Sequence, residues 1–278
     1  MQERGISHIG LIAGDKNLPF LVLDYAKKNN KKISAVGIEG CVSKKLSKLL
    51  PVENYREFHL SQLSKTIKFF KSQNVDTVVI VGGVNNSSIK INFDVIRIFS
   101  KLLFMKNKYD SILRLIIKEF EKHSFNVVGI HEIMPELLIE NKILTNIFPS
   151  SKDIDSANFG FKKALDFANT DKGQSIIVKN KKVIATEKFS GTDDLIRRAS
   201  KLKNSKGSIL VKVLKPTQEI RVDIPVLGVN TIKELYSAGF SGVVIEANKS
   251  IIENREEVIS LANKLGIFIM GSDGNFSK

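Results

Sequence analysis

Between Lys215 and Gly228 the chain reads KPTQEIRVDIPVLG, gathering Lys215, Gln218, Glu219, Arg221 and Asp223 within nine residues. Phosphoryl chemistry uses such a set: cations that clamp phosphate oxygens, and a carboxylate that holds Mg²⁺ or activates water. Placing this mixture beside apolar residues is costly unless each charge finds a partner or a ligand, so the stretch reads as a site. Strand alternation over Arg221–Pro225 would turn Arg221 and Asp223 to one face and Val222 and Ile224 to the other. The competing reading is an exposed edge strand in which Glu219 and Arg221 are solvated.

Two further constellations could meet a phosphate. Ser190-Gly191-Thr192-Asp193-Asp194 opens a helix that carries Arg197 and Arg198. An N-cap by Thr192 or Ser190 with acids in the first turn accounts for it, and so does a helix mouth where Thr192 and Asp193 hold a phosphate or a metal-bound water. Gly10-Leu11-Ile12-Ala13-Gly14 follows a strand and precedes a helix, where backbone N–H groups and the helix dipole can receive an anion. Its spacing is not G-x-G-x-x-G, and Glu39 is the acid nearest to a ribose-binding place. Gly82-Gly83 closes another strand. Glycine turns at the carboxyl ends of parallel strands would face one crevice, whereas a tight turn without a ligand is the plainer reading of each. His131-Glu132 follows a strand end and reads as a structural histidine; His8, His59 and His123 read as surface or structural, and Cys41 as a small residue near a turn.

The elements that must position these residues alternate. HIGLIAG (8–14), ISAVGI (33–38) and DTVVIVGG (76–83) have the unbroken apolar character of buried strands. Helical spacing separates them, from Asn17, with Asn17 or Asp15 as cap, and over Ser61–Gln73. A helix at 109–124 and a strand at 126–133 follow. This order predicts a parallel, Rossmann-like sheet over residues 1–140. Residues 141–156 lose the pattern and read as a linker. The remainder, 157–278, predicts a mixed α/β domain: a helix near 159–169, a hairpin of SIIVKN and KVIATEKF around Asn180-Lys181, the SGTDD helix, a strand at 208–214, and alternation to the end.

Composition restricts the classes. The length, 278 residues with 42% hydrophobic content, suits two globular domains. One cysteine excludes an intrachain disulfide and suits a reducing cytoplasm. No signal-length or membrane-spanning apolar run is present, so export and a spanning helix are not expected. The net charge of +14 is spread evenly: residues 1–140 hold 21 Lys/Arg against 14 Asp/Glu, and residues 141–278 hold 22 against 15. A dedicated nucleic-acid arm would concentrate that charge, so a lysine-rich solvated surface or attraction to an anionic membrane or substrate fits better.

GLIAGDKNLP (10–19), DSILRLIIKEFEKHSFNVVGIHEIM (110–134), DKGQSIIV (171–178), VIATEKFSGTDDLIRR (183–198), KPTQEIRVDIPVLG (215–228) and GVVIEA (242–247) together resemble one family along nearly the whole chain. It is the UDP-2,3-diacylglucosamine pyrophosphatase of Gram-negative bacteria that lack the calcineurin-like enzyme for the same lipid A step. The pairing of G-T-D-x-x-L-x-R-R with K-P-x-Q-x-x-R-x-D-x-P-x-x-G carries the specificity.

The resemblance implies Mg²⁺-assisted attack of water on the α-phosphorus, yielding UMP and 2,3-diacylglucosamine 1-phosphate (lipid X). It also implies a substrate cleft between a Rossmann-like domain and a carboxyl-terminal domain. Asp223 matches the family's catalytic aspartate and metal position, with Arg221 and Lys215 expected as catalytic cations on the phosphate oxygens. Gly191, Thr192, Asp193 and Gln218 match motif positions expected to touch substrate, and Gly10, Ala13, Gly14, Asn17 and Gly83 supply the expected nucleotide turn. Three departures fall on the amino-terminal face and cleft rim. Gly82–Ser88 lacks the family's Arg, Lys108-Tyr109-Asp110 replaces Gly-Asp-Asp, and Ser190 replaces Glu. A lipid substrate fits a cytoplasmic protein held peripherally on the anionic inner membrane, with a homo-oligomer possible and nucleic acid not a partner. A catalytically inactive nucleotide-sugar or lipid-binding regulator of the same fold is the alternative.

Overall fold

The structure is a computed structural model that describes residues 5–83, 108–188 and 190–275. The chain divides into two units: residues 1–135 with 219–223, and residues 136–218 with 224–278.

In the first unit, β1 (His8–Ala13), β2 (Lys32–Ile38), β3 (Tyr55–Phe58), β4 (Thr77–Val81) and β5 (Asn126–Val128) form one sheet in the order β3-β2-β1-β4-β5. Every pairing is parallel, as the alternation predicts. β1 and β4 are the central strands and nearly every residue in them is buried, which is why they read as continuous apolar runs. The helices are α1 (Leu18–Lys28), a short α2 (Lys44–Ser47), α3 (Leu63–Ser72) and α4 (Lys108–Lys122). Phe70 of α3 and Phe120 of α4 meet Phe125 with ring centroids 5.6–6.4 Å apart, making the aromatic centre of this core. The strand predicted over 126–133 is shorter. It stops at Val128, and α5 (Ile130–Ile133) begins because the Glu132 carboxylate accepts the Gly129 N–H at 2.7 Å and caps a helical turn.

In the second unit, α6 (Ser151–Ala168) leads into β6 (Ser175–Lys179) and β7 (Lys182–Thr186). After them come α7 (Gly191–Ser200), β8 (Ile209–Lys212), β9 (Val226–Leu227), α8 (Val229–Ser237), β10 (Gly242–Glu246), β11 (Ile251–Ile252), α9 (Arg255–Leu265) and β12 (Phe268–Ser272). The main sheet is mixed, in the order β12-β10-β8-β6-β7, with β12, β10 and β8 parallel and β6 antiparallel to both neighbours. The predicted hairpin is present, and both of its turn residues, Asn180 and Lys181, take positive φ, as a two-residue hairpin requires. The helix expected near 159 begins at Ser151. Ser150 caps it, its hydroxyl accepting the Asp153 N–H while Asp153 accepts from Ser150, so the end of the 141–156 stretch is helical.

Candidate functional site

The first unit reverses its strand order at β1 and β4: the chain runs outward from β1 to β2 and β3, and later outward from β4 to β5. In a doubly wound sheet the crevice beyond the carboxyl ends of such strands is where ligands bind. Here the two strand ends are held together by backbone. The Gly14 N–H donates to Val81 O and the Asp15 N–H to Gly83 O, each at 2.9 Å. A β-carbon on Gly14 would collide with the Gly83 carbonyl and stand 2.7 Å from the Gly82 carbonyl carbon, so only glycine permits this approach. Beside it, Asp15 Oδ1 is buried without a hydrogen-bond partner among the described residues, which leaves a costly acceptor at the crevice. Asn17 sits at the N-cap of α1, exposed, with no side-chain capping bond.

Gly10 and Ala13 are placed differently from the expected turn. Both lie inside β1 rather than after it. Gly10 faces α3, where an added β-carbon would stand 2.7 Å from Val75 and 3.0 Å from Phe70. It makes room for helix-on-sheet packing. Ala13 is wholly buried. Of the turn after β4, Gly82 and Gly83 are described, while Val84–Ser88 lie outside the described residues.

The second unit brings its polar residues to one edge, beyond the ends of β7, β8 and β10 and ahead of β6. Glu187 follows β7 and is only 8% exposed. Its carboxylate accepts the Gln174 N–H and the Thr192 hydroxyl, both at 2.8 Å, and the Thr192 oxygen lies 3.2 Å from Ser175 Oγ. Thr192 therefore does not cap α7. Nor does Ser190, whose hydroxyl donates to Asp194 Oδ2 at 2.5 Å. Arg198 donates to the same oxygen at 2.7 Å, and these bonds from Ser190 and Arg198 hold the Asp194 carboxyl below its ordinary range. Asp193, in the same first turn, forms no ion pair among the described residues. Gly191 starts the helix at φ +84°, a conformation that favours glycine. Phe189, within the motif, lies outside the described residues.

Past β8, the ammonium of Lys215 lies 3.2 Å from Asp171 Oδ1, which also accepts the Thr217 hydroxyl at 3.1 Å. Gln218 is 7% exposed, and its N–H closes a turn on Lys215 O at 2.9 Å. At the end of β10, buried Glu246 accepts the Leu214 N–H at 2.8 Å and pairs with Lys249 at 2.7 Å. Gln174 Oε1 is buried there without a hydrogen-bond partner among the described residues.

The segment Glu219–Asp223 belongs with the first unit, and it is a turn, not the alternating strand expected. Val222 and Asp223 both donate their N–H groups to Glu219 O, at 3.1 and 2.9 Å, a helical turn that no strand partner opposes. Val222 nonetheless packs on the first unit's core, as an apolar residue between two charges should. Arg221 is engaged through all three nitrogens: Nε and Nη2 to the two oxygens of Glu219 at 2.9 and 3.1 Å, and Nη1 to Glu121 at 2.9 Å. The bonds from Arg221 hold the Glu219 carboxyl below its usual range, and the bonds to Glu219 and Glu121 raise Arg221. Asp223 is half-buried.

Next to this turn lies His131. A β-carbon on Gly129 would stand 2.6 Å from His131 Nδ1 and 3.0 Å from the Arg221 Cα. Nδ1 is buried with no partner among the described residues, and burial lowers the ring's pKa against the pull of Glu132. The reading of His131 as a satisfied structural histidine therefore fails on that nitrogen.

Among the described residues no three His, Cys, Asp or Glu side chains gather as a metal cage. Asp223 offers one hard carboxylate on a turn fixed by its own backbone, a donor that fits Mg²⁺ when substrate phosphates and waters supply the other oxygens.

Sequence reasoning singled out Thr192, Lys215, Gln218 and Asp223 but passed over Glu187, Asp171, Glu246 and Gln174. A carboxylate just past a strand end beside a run of hydroxyls was the available signal for Glu187. Nothing local distinguishes Asp171.

The LpxI N-terminal domain model matches residues 8–137 and the LpxI C-terminal domain model matches residues 140–270. A UDP-2,3-diacylglucosamine pyrophosphatase LpxI of Caulobacter vibrioides is 28% identical over 276 residues, covering 95% of this chain and 97% of that protein.

Proposed function

The chain belongs to the LpxI family, and from that premise we propose that it hydrolyses the pyrophosphate of UDP-2,3-diacylglucosamine to UMP and 2,3-diacylglucosamine 1-phosphate in lipid A synthesis. The observation that carries the reading is Asp223, the aspartate of the KPTQEIRVD motif, held on a backbone-bonded turn with a carboxylate able to serve phosphoryl chemistry.

A pyrophosphate diester repels hydroxide, so catalysis comes from neutralising its charge and placing water in line. Asp223 would orient the attacking water toward the α-phosphorus and would also hold Mg²⁺. When bound, that ion supplies charge neutralisation on the phosphate oxygens. Lys215, steadied by Asp171, brings a cation to the second unit's edge, where Thr192, Gly191, Asp193 and Gln218 are assigned to substrate. The glycine approach at Gly14 and Gly83, with Asn17 and Asp15, is assigned to the nucleotide by the position of the strand-order reversal.

The acyl chains of the substrate and the net charge of +14 support weak attraction to an anionic leaflet, at about 1 kcal/mol per nearby Lys or Arg. Among the described residues no helix is long and apolar enough to cross a membrane. Peripheral association should be released by 1 M salt.

The deciding experiment incubates the purified protein with UDP-2,3-diacylglucosamine, with and without Mg²⁺, and measures UMP. UMP released in proportion to enzyme supports the reading. Tight binding of the substrate without UMP under any divalent metal would replace it with the inactive binding protein.

A further inference from the structure

We propose that Arg221 is a positioning residue: through Glu219 and Glu121 it fastens the turn bearing Asp223 onto the first unit, in place of gripping the substrate's phosphates. The inference rests on the pyrophosphatase reading above.

Arg221 meets both oxygens of Glu219 in a planar fork, a strong and orientation-specific pairing, and spends its remaining nitrogen on Glu121. Glu121 stands on the last turn of α4, one hundred residues earlier in the chain. A phosphate reaching Arg221 would have to break these charge-assisted bonds in the presence of two carboxylates.

Arg221 with Glu219 and Glu121 is a net anion; Arg114, which also acts on Glu219, brings the group only to neutrality. A phosphate pocket needs a positive surplus, and this group has none.

The same turn is docked at independent points. Val222 packs on the first unit's core, and the missing side chain of Gly129 lets the backbone at Arg221 close on the strand end after β5. With Arg221 tied to α4, the turn is held on two sides of Asp223's own backbone bond to Glu219 O. A reacting carboxylate gains from such fixation, because small misplacements of a catalytic group are expensive.

The test is made on the full-length protein with UDP-2,3-diacylglucosamine and Mg²⁺. Glu121 is exposed on a helix surface, so Glu121→Ala should keep the fold, checked by its melting temperature. The expected result is a fall in kcat on the order of tenfold with KM nearly unchanged, since a displaced carboxylate slows the reaction without touching substrate binding. Arg221→Gln should lose about as much, and the double variant Glu121→Ala/Arg221→Gln no more than either. Arg221→Lys should fail to restore the rate, because lysine keeps the charge but not the fork. Unchanged or faster turnover in Glu121→Ala, or an Arg221→Gln defect that lies in KM and is rescued by lysine, would overturn the proposal and return Arg221 to the substrate. An inactive wild-type protein would instead sink the pyrophosphatase reading.

Discussion

The first unit builds its carboxyl edge from backbone: Gly14 and Gly83 press two strand ends together, and the polar atoms left there, Asp15 Oδ1 and His131 Nδ1, have no hydrogen-bond partner among the described residues. The second unit builds its edge chiefly from paired side chains, with Glu187 on Thr192, Asp171 on Lys215 and Thr217, and Glu246 on Lys249 and the Leu214 N–H, although Gln174 Oε1 there also has no hydrogen-bond partner among the described residues. Buried polar atoms left without a protein partner beside close-packed backbone carry a desolvation cost, whereas paired carboxylates make a frame that holds hydroxyls and cations in place. Asp223 departs from both patterns. It lies in sequence among the second unit's motif residues, yet its turn counts with the first unit and is fixed by backbone and by Arg221.

The largest test of this contrast is Asp223→Asn. Asparagine keeps the shape of the turn and removes the charge, so the protein should fold, bind substrate with little change, and lose at least about 100-fold in kcat, on the order of 3 kcal/mol of transition-state stabilisation. Steady-state release of UMP measures it. Turnover within a few-fold of wild type would take the chemistry away from this turn and leave the two edges as binding surfaces alone.

Next in size is Gly14→Ala. The new methyl meets only backbone, the Gly82 and Gly83 carbonyl groups, so it cannot be absorbed by a side-chain rotation and should cost roughly 1–3 kcal/mol by overpacking. If the backbone edge receives the nucleotide, KM rises on the order of tenfold, for about 1.4 kcal/mol of lost binding, while kcat holds. In the second unit, Thr192→Val removes the hydroxyl that Glu187 accepts and leaves a buried carboxylate oxygen one donor short. Stability should drop by about 1–3 kcal/mol. The paired-edge view expects kcat to fall several-fold along with the melting temperature. Equal kinetic signatures from the two variants would erase the distinction between the edges.

The architecture of each unit was legible because it rests on period and punctuation. Short, largely apolar runs at 8–13 and 77–81 separated by helical spacing marked parallel strands, and Asn180-Lys181 between two strand-like runs marked a hairpin. Less was legible where an element is held by partners distant in the chain. β3, only four residues with an exposed middle, has no apolar signature of its own and exists because β2 offers an edge. The Glu219–Asp223 turn mimicked a strand in its alternation, and only the Glu121 and Gly129 contacts, from far upstream, explain its true shape. Gly10 was misread for a related reason: a glycine that packs against Phe70 looks in sequence like one that turns. The early start of α6 is different. Its Ser150-x-x-Asp153 capping pair was present in the sequence as a local signal, overshadowed by the polar stretch around it.

The smallest effect separates the units by pH. All four histidines lie in the first unit. Burial lowers the pKa of His8, against the pull of Asp76, and that of His131, against Glu132. A depressed folded pKa means the unfolded chain takes the proton first, so the stability these rings contribute is complete above the ordinary value of 6.5 and is lost as pH falls through and below it. In the second unit the comparable group is Glu140. Burial raises it, but bonds from Arg255 and Lys142 prevail and bring it down to about 2, so its contribution is present above 4.5 and lost only toward that lower value. Between pH 7.5 and 5.5, hydrogen exchange corrected for its intrinsic pH dependence should therefore show protection falling in β1, β2 and β5 while β8 and β10 hold. The loss should be under about 1.4 kcal/mol, the worth of one pKa unit, and smaller for the part-solvated His131 ring. Replacing His8 with Gln should flatten most of the difference. Parallel losses in both sheets would mean that the second unit's paired carboxylates are no better insulated from acid than the first unit's buried histidines.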